Sequence, residues 1–320
     1  MTTASGPLVV IGLGAMGLGM ARSLLRAGLD VTGIDREQAA MAAFEADGGR
    51  IASDRAARDA ALRRASAVVL VVVNAAQTEA VLFGEDGIAP HLAPGTVVVS
   101  CATFAPEHAV RFEAKLAETG LLYLDAPISG GAVRAAEGRL SIMASGTADA
   151  FAAARPALDA MAETVFELGD RAGPGSAMKV VNQLLAGVHI AATAEALTFG
   201  VGQGIEVARM VEVISRCAGS SWMFENRGPF IADGDYRPHS AVDIFVKDLG
   251  IVAEAASAGG LSVPLTETAL ARFRSAHDAG LGREGDVAVA KIYAREGNIA
   301  LPGVPASGAD VLGGTSSDKD

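Results

Sequence analysis

Between residues 8 and 170 the chain alternates short apolar runs with alanine-rich stretches whose apolar positions recur at helical spacing. That alternation is the pattern of βαβ units feeding a parallel sheet with strands buried on both faces. The apolar runs predict strands at 8–11, 31–34, 68–73, 97–100, 121–125, 140–144 and 165–168. From about residue 175 the alternation stops. Residues 176–202 contain no proline and place Val181, Leu184, Leu185 and Val188 at helical spacing, which predicts one long helix. Further helices are predicted at 207–217, 241–258, 265–279 and 287–295, separated by Gly, Pro, Ser and Asp. The expected organisation is an α/β domain over 1–173, an all-α domain over 174–302, and a flexible tail over 303–320 that is rich in Gly, Ser and Asp and lacks periodicity.

The first strand runs into Gly12, Leu13, Gly14, Ala15, Met16 and Gly17, a G-x-G-x-x-G turn that opens a helix. In such a turn the first glycine bends the chain, the second admits a pyrophosphate against the backbone, and the third lets helix pack on strand. The helix N-terminus then faces the diphosphate. The second strand ends at Asp35, close to the spacing at which a carboxylate accepts hydrogen bonds from an adenosine ribose. In a chain with 38 glycines an isolated match is weak, but strand, turn, helix, second strand and terminal acid here agree. The expectation is a Rossmann domain with a parallel-rich, doubly wound sheet that binds NAD. Asp35 favours NAD over NADP because it repels a 2′-phosphate, while the neighbouring Arg36 is the residue that would receive one.

Composition narrows the function. A net charge of −11, with no Lys/Arg cluster, repels nucleic-acid phosphate and anionic lipid. The longest strongly apolar run, residues 67–73, is far short of the roughly 20 residues that span a bilayer. The N-terminal residues lack the basic and apolar regions of a signal peptide, so a soluble, cytoplasmic protein is expected. Cys101 and Cys217 support neither a disulfide framework nor a zinc pattern and read as buried small residues. The five histidines match no metal-ligand spacing, so no metal is expected.

Candidate chemistry gathers at a few polar positions. Lys179, Asn182 and Gln183 share one face of the otherwise apolar long helix. Such a stripe is either solvated or faces a ligand cleft between domains. A buried lysine brought toward neutrality could take a substrate hydroxyl proton and return it in the reverse reaction, with Asn182 orienting the hydroxyl. Ser129, Gly130 and Gly131 follow a predicted strand, and their successive N–H groups can cradle a carboxylate. Taken alone they are an ordinary Pro-Ser-Gly-Gly turn. Thr103 lies past another strand end, as a cofactor contact or a helix cap before Pro106. Lys247-Asp248 reads as an intrahelical pair, and Trp222, the only tryptophan, as core or cleft wall.

Taken together, GLGAMG at 12–17, DAPISGG at 125–131, GxxxKVVNQ over 175–183 and Lys247-Asp248-Leu249 resemble the β-hydroxyacid dehydrogenase family, over nearly the whole chain. The resemblance implies a Rossmann domain followed by a helical domain that builds a homodimer or homotetramer. It implies that Lys179 is the catalytic lysine, Asn182 the substrate-orienting amide, Ser129, Gly130 and Gly131 the acid-group cradle, and Thr103 and Lys247 cofactor contacts. Val73-Asn74 stands where many members have Leu-Pro, and Gln183 where many have a second Asn. With the segments 74–78 and 221–227, these departures resemble the L-threonate dehydrogenase branch, which oxidises the 2-hydroxyl of a four-carbon sugar acid with NAD. Val73 and Asn74 would then border the cofactor, and Gln183 would suit a polyhydroxylated substrate. The alternatives are a 3-hydroxyisobutyrate dehydrogenase, a tartronate semialdehyde reductase, and a silent dinucleotide-binding redox sensor.

Overall fold

The computed structural model describes residues 6–306. Among these residues nine strands form: β1 (Leu8–Ile11), β2 (Val31–Ile34), β3 (Arg50–Ile51), β4 (Ala67–Leu70), β5 (Val97–Ser100), β6 (Leu122–Asp125), β7 (Ile128–Ser129), β8 (Leu140–Ala144) and β9 (Ala162–Glu167). Helices α1 (Ala15–Arg26), α2 (Gln38–Ala46), α3 (Arg55–Arg64), α4 (Ala75–Phe83), α5 (Pro106–Ala117), α6 (Gly131–Glu137) and α7 (Ala148–Met161) alternate with them. Then follow α8 (Pro174–Gly202), α9 (Val207–Ile214), α10 (Trp222–Asp233), α11 (Val242–Ala258), α12 (Pro264–Ala276) and α13 (Ala290–Gly297). The chain divides into two compact units between Val180 and Val181, within α8.

The first unit carries a six-stranded parallel sheet in the order β3-β2-β1-β4-β5-β6, a doubly wound Rossmann-type arrangement. Side-chain alternation divides each central strand between two cores. Leu8, Val10, Val69 and Val99 pack into one, and Val9, Ile11, Val68 and Val98 into the other. The order reverses at β1 and β4, and ligands of such sheets bind at the carboxyl ends of strands beside that reversal. Two predicted strands lie elsewhere: 140–144 and most of 165–168 form β8 and β9 of a separate three-stranded sheet, with β7 antiparallel to β8. The strand predicted over 68–73 ends at Leu70, because Asn74 caps α4 and the intervening residues turn.

The second unit is helical and has its own core, which includes Ile190, Leu197, Phe245, Leu249, Phe273 and Val289. Helix α10 was absent from the sequence expectation. Arg227-Gly228-Pro229 reads as a breaker, yet Pro229 lies inside a helix capped by the Ser221 side chain, which accepts from Phe224 N–H. Residues 303–306 depart from the expected tail: Val304 is buried and bridges Leu301, and the Pro302 carbonyl accepts from the Tyr236 hydroxyl. The rest of that tail, 307–320, lies outside the described residues.

Helix α8 corrects the run-length expectation about membranes. Its mean hydropathy reaches 1.5, and by length and composition alone it is the one helix among the described residues that could cross a bilayer. The apolar stretch that carries this average lies beyond Lys179, Asn182 and Gln183, toward the C-terminal end of the helix. Lys179 and Gln183 are themselves buried and hydrogen-bonded within the protein.

Candidate active site

At the turn after β1, the three glycines do different work. Gly12 has φ +94°, and a Cβ there would lie 2.1 Å from the Val71 carbonyl oxygen. A Cβ on Gly17 would lie 1.8 Å from the Gly12 carbonyl oxygen. Both glycines are required by the fold itself. Gly14 is different, since a Cβ there meets no atom within 4 Å. It is exposed at the N-terminus of α1, whose first-turn N–H groups have no side-chain cap. An open glycine at an uncapped helix N-terminus is the cradle a pyrophosphate needs.

Asp35 ties this turn to β2. Its Oδ2 accepts from Leu13 N–H at 2.5 Å and its Oδ1 from Glu37 N–H at 2.8 Å. A carboxylate offers about four acceptor positions, so capacity remains for a ribose diol. These features fit NAD, and Arg36 beside them is exposed. Val73 is exposed, and its N–H donates to Gln77 Oε1. The Asn74 side-chain oxygen accepts from Gln77 N–H at 2.9 Å, giving Asn74 a capping role at α4. Thr103 lies in the loop after β5. The cap position of α5 belongs to Ala105, so the cap reading of Thr103 does not hold.

The segment from Asp125 to Gly131 organises the start of α8. Asp125 is fully buried, and its Oδ2 accepts from the N–H groups of Gly173 (3.1 Å) and Ser176 (2.8 Å) and from the Ser145 hydroxyl (3.3 Å). Its Oδ1 accepts from the Ser176 hydroxyl at 2.6 Å. Gly175 N–H donates to the Ser145 hydroxyl at 2.9 Å, and Pro174 has no N–H to satisfy. The donors that a helix N-terminus leaves unpaired are thus accounted for by one carboxylate and one serine. Burial pushes the Asp125 carboxyl above its ordinary range, although the bonds from Ser176, Gly173 and Ser145 pull the other way.

One turn further on, Lys179 is 7% exposed, and its Nζ donates to the Ile128 carbonyl at 2.8 Å. The next residue, Ser129, ends β7, and Gly130 (φ +133°) and Gly131 (φ +76°) turn the chain into α6. The Lys179 amine is therefore anchored to the residue immediately before the acid cradle expected from sequence.

In the second unit, Asn182 Nδ2 donates to Gln183 Oε1 at 2.9 Å, and Gln183 Nε2 donates to Asp248 Oδ2 at 2.5 Å. Lys247 Nζ lies 2.7 Å from Asp248 Oδ1. Lys247-Asp248 is therefore more than a surface pair, because Asp248 is buried and reaches α8. From sequence, Asp125 and Asp248 entered only as members of the DAPISGG segment and the Lys247-Asp248 pair, with no role of their own. The signal available was an acid in an apolar stretch, since a charge there needs partners. Trp222 opens α10 and is 51% exposed, which excludes the core reading. Arg227 forms a bidentate pair with buried Asp286 at 2.9 Å, which gives that motif arginine a packing role. Cys217 is exposed, contrary to the expectation of two buried cysteines. Among the described residues no cluster of three or more His, Cys, Asp or Glu could hold a metal.

The chain is similar to known proteins along most of its length. Residues 7–169 match the NAD binding domain of 6-phosphogluconate dehydrogenase, and residues 173–293 match the NAD-binding domain of NADP-dependent 3-hydroxyisobutyrate dehydrogenase. The chain is 49% identical over 294 residues to L-threonate dehydrogenase of Escherichia coli K12, covering 92% of this chain and 96% of that one. It is 34% identical over 288 residues to 3-hydroxyisobutyrate dehydrogenase of Pseudomonas aeruginosa, covering 87% and 94%. A crystal structure described as 3-hydroxyisobutyrate dehydrogenase from Salmonella typhimurium superposes with a TM-score of 0.84 at 48% identity, over 89% of this chain and 99% of that one.

Proposed function

The chain belongs to the β-hydroxyacid dehydrogenase family, and from that premise we propose that it oxidises the 2-hydroxyl of L-threonate to the 2-oxo acid, with Lys179 as proton acceptor. It is an NAD-dependent oxidoreductase acting on a CH–OH group. Bound NAD supplies the hydride acceptor. The observation that carries the proposal is the buried Lys179 amine, held at the Ile128 carbonyl beside the Ser129-Gly130-Gly131 turn.

Each residue then has a task. Ser129, Gly130 and Gly131 present N–H groups to the substrate carboxylate, which places the 2-hydroxyl a fixed distance from the acid group. Lys179 Nζ takes the hydroxyl proton during oxidation and returns it in the reverse direction. As an ammonium, Lys179 also stabilises negative charge developing on the reacting oxygen. Asn182, three residues along α8, orients the hydroxyl. Gly14 admits the pyrophosphate, Asp35 receives the ribose hydroxyls, and Thr103 and Lys247 border the cofactor. The 49% identity to a named L-threonate dehydrogenase supports the sugar acid over 3-hydroxyisobutyrate, for which the named relative stands at 34%. The Salmonella structure's description favours the second reading.

The two are separated by following NADH absorbance with L-threonate, 3-hydroxyisobutyrate, tartronate semialdehyde with NADH, and D-glycerate, in wild type and Lys179→Ala. Turnover confined to L-threonate and lost in the variant supports the proposal. Preferred turnover of another acid discards the substrate, and tight NAD binding without any turnover revives the redox-sensor reading.

We place the enzyme in the cytoplasm as a homo-oligomer. Met178, Val181, Leu185 and Phe199 form an exposed apolar stripe along α8 at helical spacing, a surface suited to burial against a second copy. Light scattering tests this, with Leu185→Glu expected to lower the mass.

A further inference from the structure

Three polar side chains in the second unit form a directed series. Asp248 on α11 is buried, and its carboxylate can only accept hydrogen bonds when ionised. Lys247 Nζ lies at Oδ1 and Gln183 Nε2 at Oδ2. With its nitrogen committed to Asp248, Gln183 must present Oε1 to Asn182, which answers with Nδ2 at 2.9 Å. The close approach of the two helices is built in by Gly187, one turn from Gln183. A Cβ there would lie 2.7 Å from the Leu249 side chain, and Leu249 is fully buried beside Asp248.

We infer that Asp248 is a positioning residue whose acceptor-only carboxylate sets, through Gln183, which end of the Asn182 amide faces the substrate. This rests on Asn182 meeting substrate, as proposed above. Asn182 then offers Oδ1 as a hydrogen-bond acceptor, which matches a substrate bearing a hydroxyl donor at that place and disfavours one bearing a methyl group. Gln183 is accordingly part of the support and not a substrate contact.

The direction of the series can be reversed without changing its shape. In Asp248→Asn, Lys247 claims the oxygen of the introduced amide, leaving the amide's NH2 group for Gln183. Gln183 must then turn its oxygen to that NH2 group and its nitrogen to Asn182, which flips in turn. In the double variant Q183E/D248N, the introduced carboxylate accepts from both neighbours and the Asn182 amide returns to its original orientation, at unchanged net charge. The expected result is a roughly 10- to 100-fold loss of kcat/KM in D248N, with recovery to within about threefold in the double variant. The NAD dissociation constant should be the same within about threefold in D248N and the double variant, because both take the Asp248 carboxylate from Lys247 alike. The assay uses whichever hydroxy acid the wild type turns over, so failure of the L-threonate assignment leaves this test intact.

A readout independent of turnover accompanies it. N182D sets a carboxylate against Gln183 Oε1 in the wild-type background but against Nε2 in D248N. It should therefore lower Tm clearly in the first and much less in the second. Wild-type kcat/KM in D248N, a folded double variant as impaired as D248N, or additive Tm losses would each overturn the inference.

Discussion

Asp125 offers the sharpest test of how the first unit places Lys179. Asp125→Ala removes the acceptor of two buried backbone N–H groups, Gly173 and Ser176, and of two serine hydroxyls. An unsatisfied buried donor costs about 1–3 kcal/mol, so the two N–H groups alone amount to roughly 2–6 kcal/mol. For a unit of this size about 1 kcal/mol corresponds to roughly 2–4 °C, which predicts a Tm loss of roughly 4–24 °C. Asp125→Asn behaves differently. Its amide oxygen can replace Oδ2 for Gly173, Ser176 N–H and Ser145, while its NH2 faces the Ser176 hydroxyl, which can rotate to accept. Only charge assistance is lost, and Asn should lose less than a third of what Ala loses. The two substitutions also differ with pH. Burial raises the folded carboxyl above its unfolded value, so the native state holds the proton more tightly and wild-type stability from this group falls as pH rises through the folded value. The wild-type advantage over D125N should therefore shrink as pH rises above the ordinary carboxylate value. Calorimetric melting of the three proteins measures both effects. D125A melting within 2 °C of wild type, or D125N as damaged as D125A, would refute the account of Asp125 as the cap of α8.

Other expectations follow from the same geometry. Gly14→Ala should melt within about 2 °C of wild type, because nothing lies within 4 Å of the added Cβ, yet bind NAD about tenfold more weakly. Gly12→Ala, whose Cβ would overlap the Val71 carbonyl oxygen, should fail in thermal stability first. Lys179→Ala should lower kcat/KM roughly 1,000-fold, with NAD affinity measured by fluorescence nearly unchanged. Burial, and then the Asp125 charge, push the Cys101 thiol up to about 12, so an aromatic disulfide reagent should titrate only exposed Cys217 in the native protein and both cysteines after denaturation.

The sequence revealed the sheet where burial is two-sided. Strands β1, β2, β5 and β8 fall at the residues that the apolar runs predict, and β1 and β5 do so because their side chains alternate between two cores. It did not reveal β3 or β7, each two residues long and set by pairing with neighbours, nor that β8 and β9 leave the main sheet. Lys179 was legible because a charge on an apolar helix is rare enough to need a reason. The partners that hold the site in shape were not. Asp125 at the end of β6 looks like any polar residue closing a strand, and its bonds to Gly173, Ser145 and Ser176 span 20 to 51 residues of chain. Local spacing carries no record of such distances.

Helix α8 shows why composition and function read differently from the same residues. One 18-residue stretch of it is apolar enough for a bilayer, yet its polar residues are not scattered. Ser176 bonds the Asp125 carboxylate, Lys179 the Ile128 carbonyl, and Gln183 the Asp248 carboxylate, each partner coming from another element. Further along, Thr193 and Thr198 turn their hydroxyls back to carbonyls of their own helix, at His189 and Ala194. The contrast separates two kinds of polar residue. A threonine satisfied within its own helix asks nothing of its surroundings, whereas a lysine or glutamine satisfied by another element constrains where that element lies. Seen this way, Lys179 and Gln183 mark the part of α8 whose position matters for chemistry, and the apolar remainder is free to serve packing. The prediction carried by this division is asymmetric. Thr198→Val should cost little in stability and nothing in kcat/KM, because the lost bond was internal to the helix, while Ser176→Val, which strips the Asp125 carboxylate of its shortest bond, should lower both. Equal losses in the two variants, measured by melting and turnover, would show that the position of the polar residues along α8 does not carry this meaning.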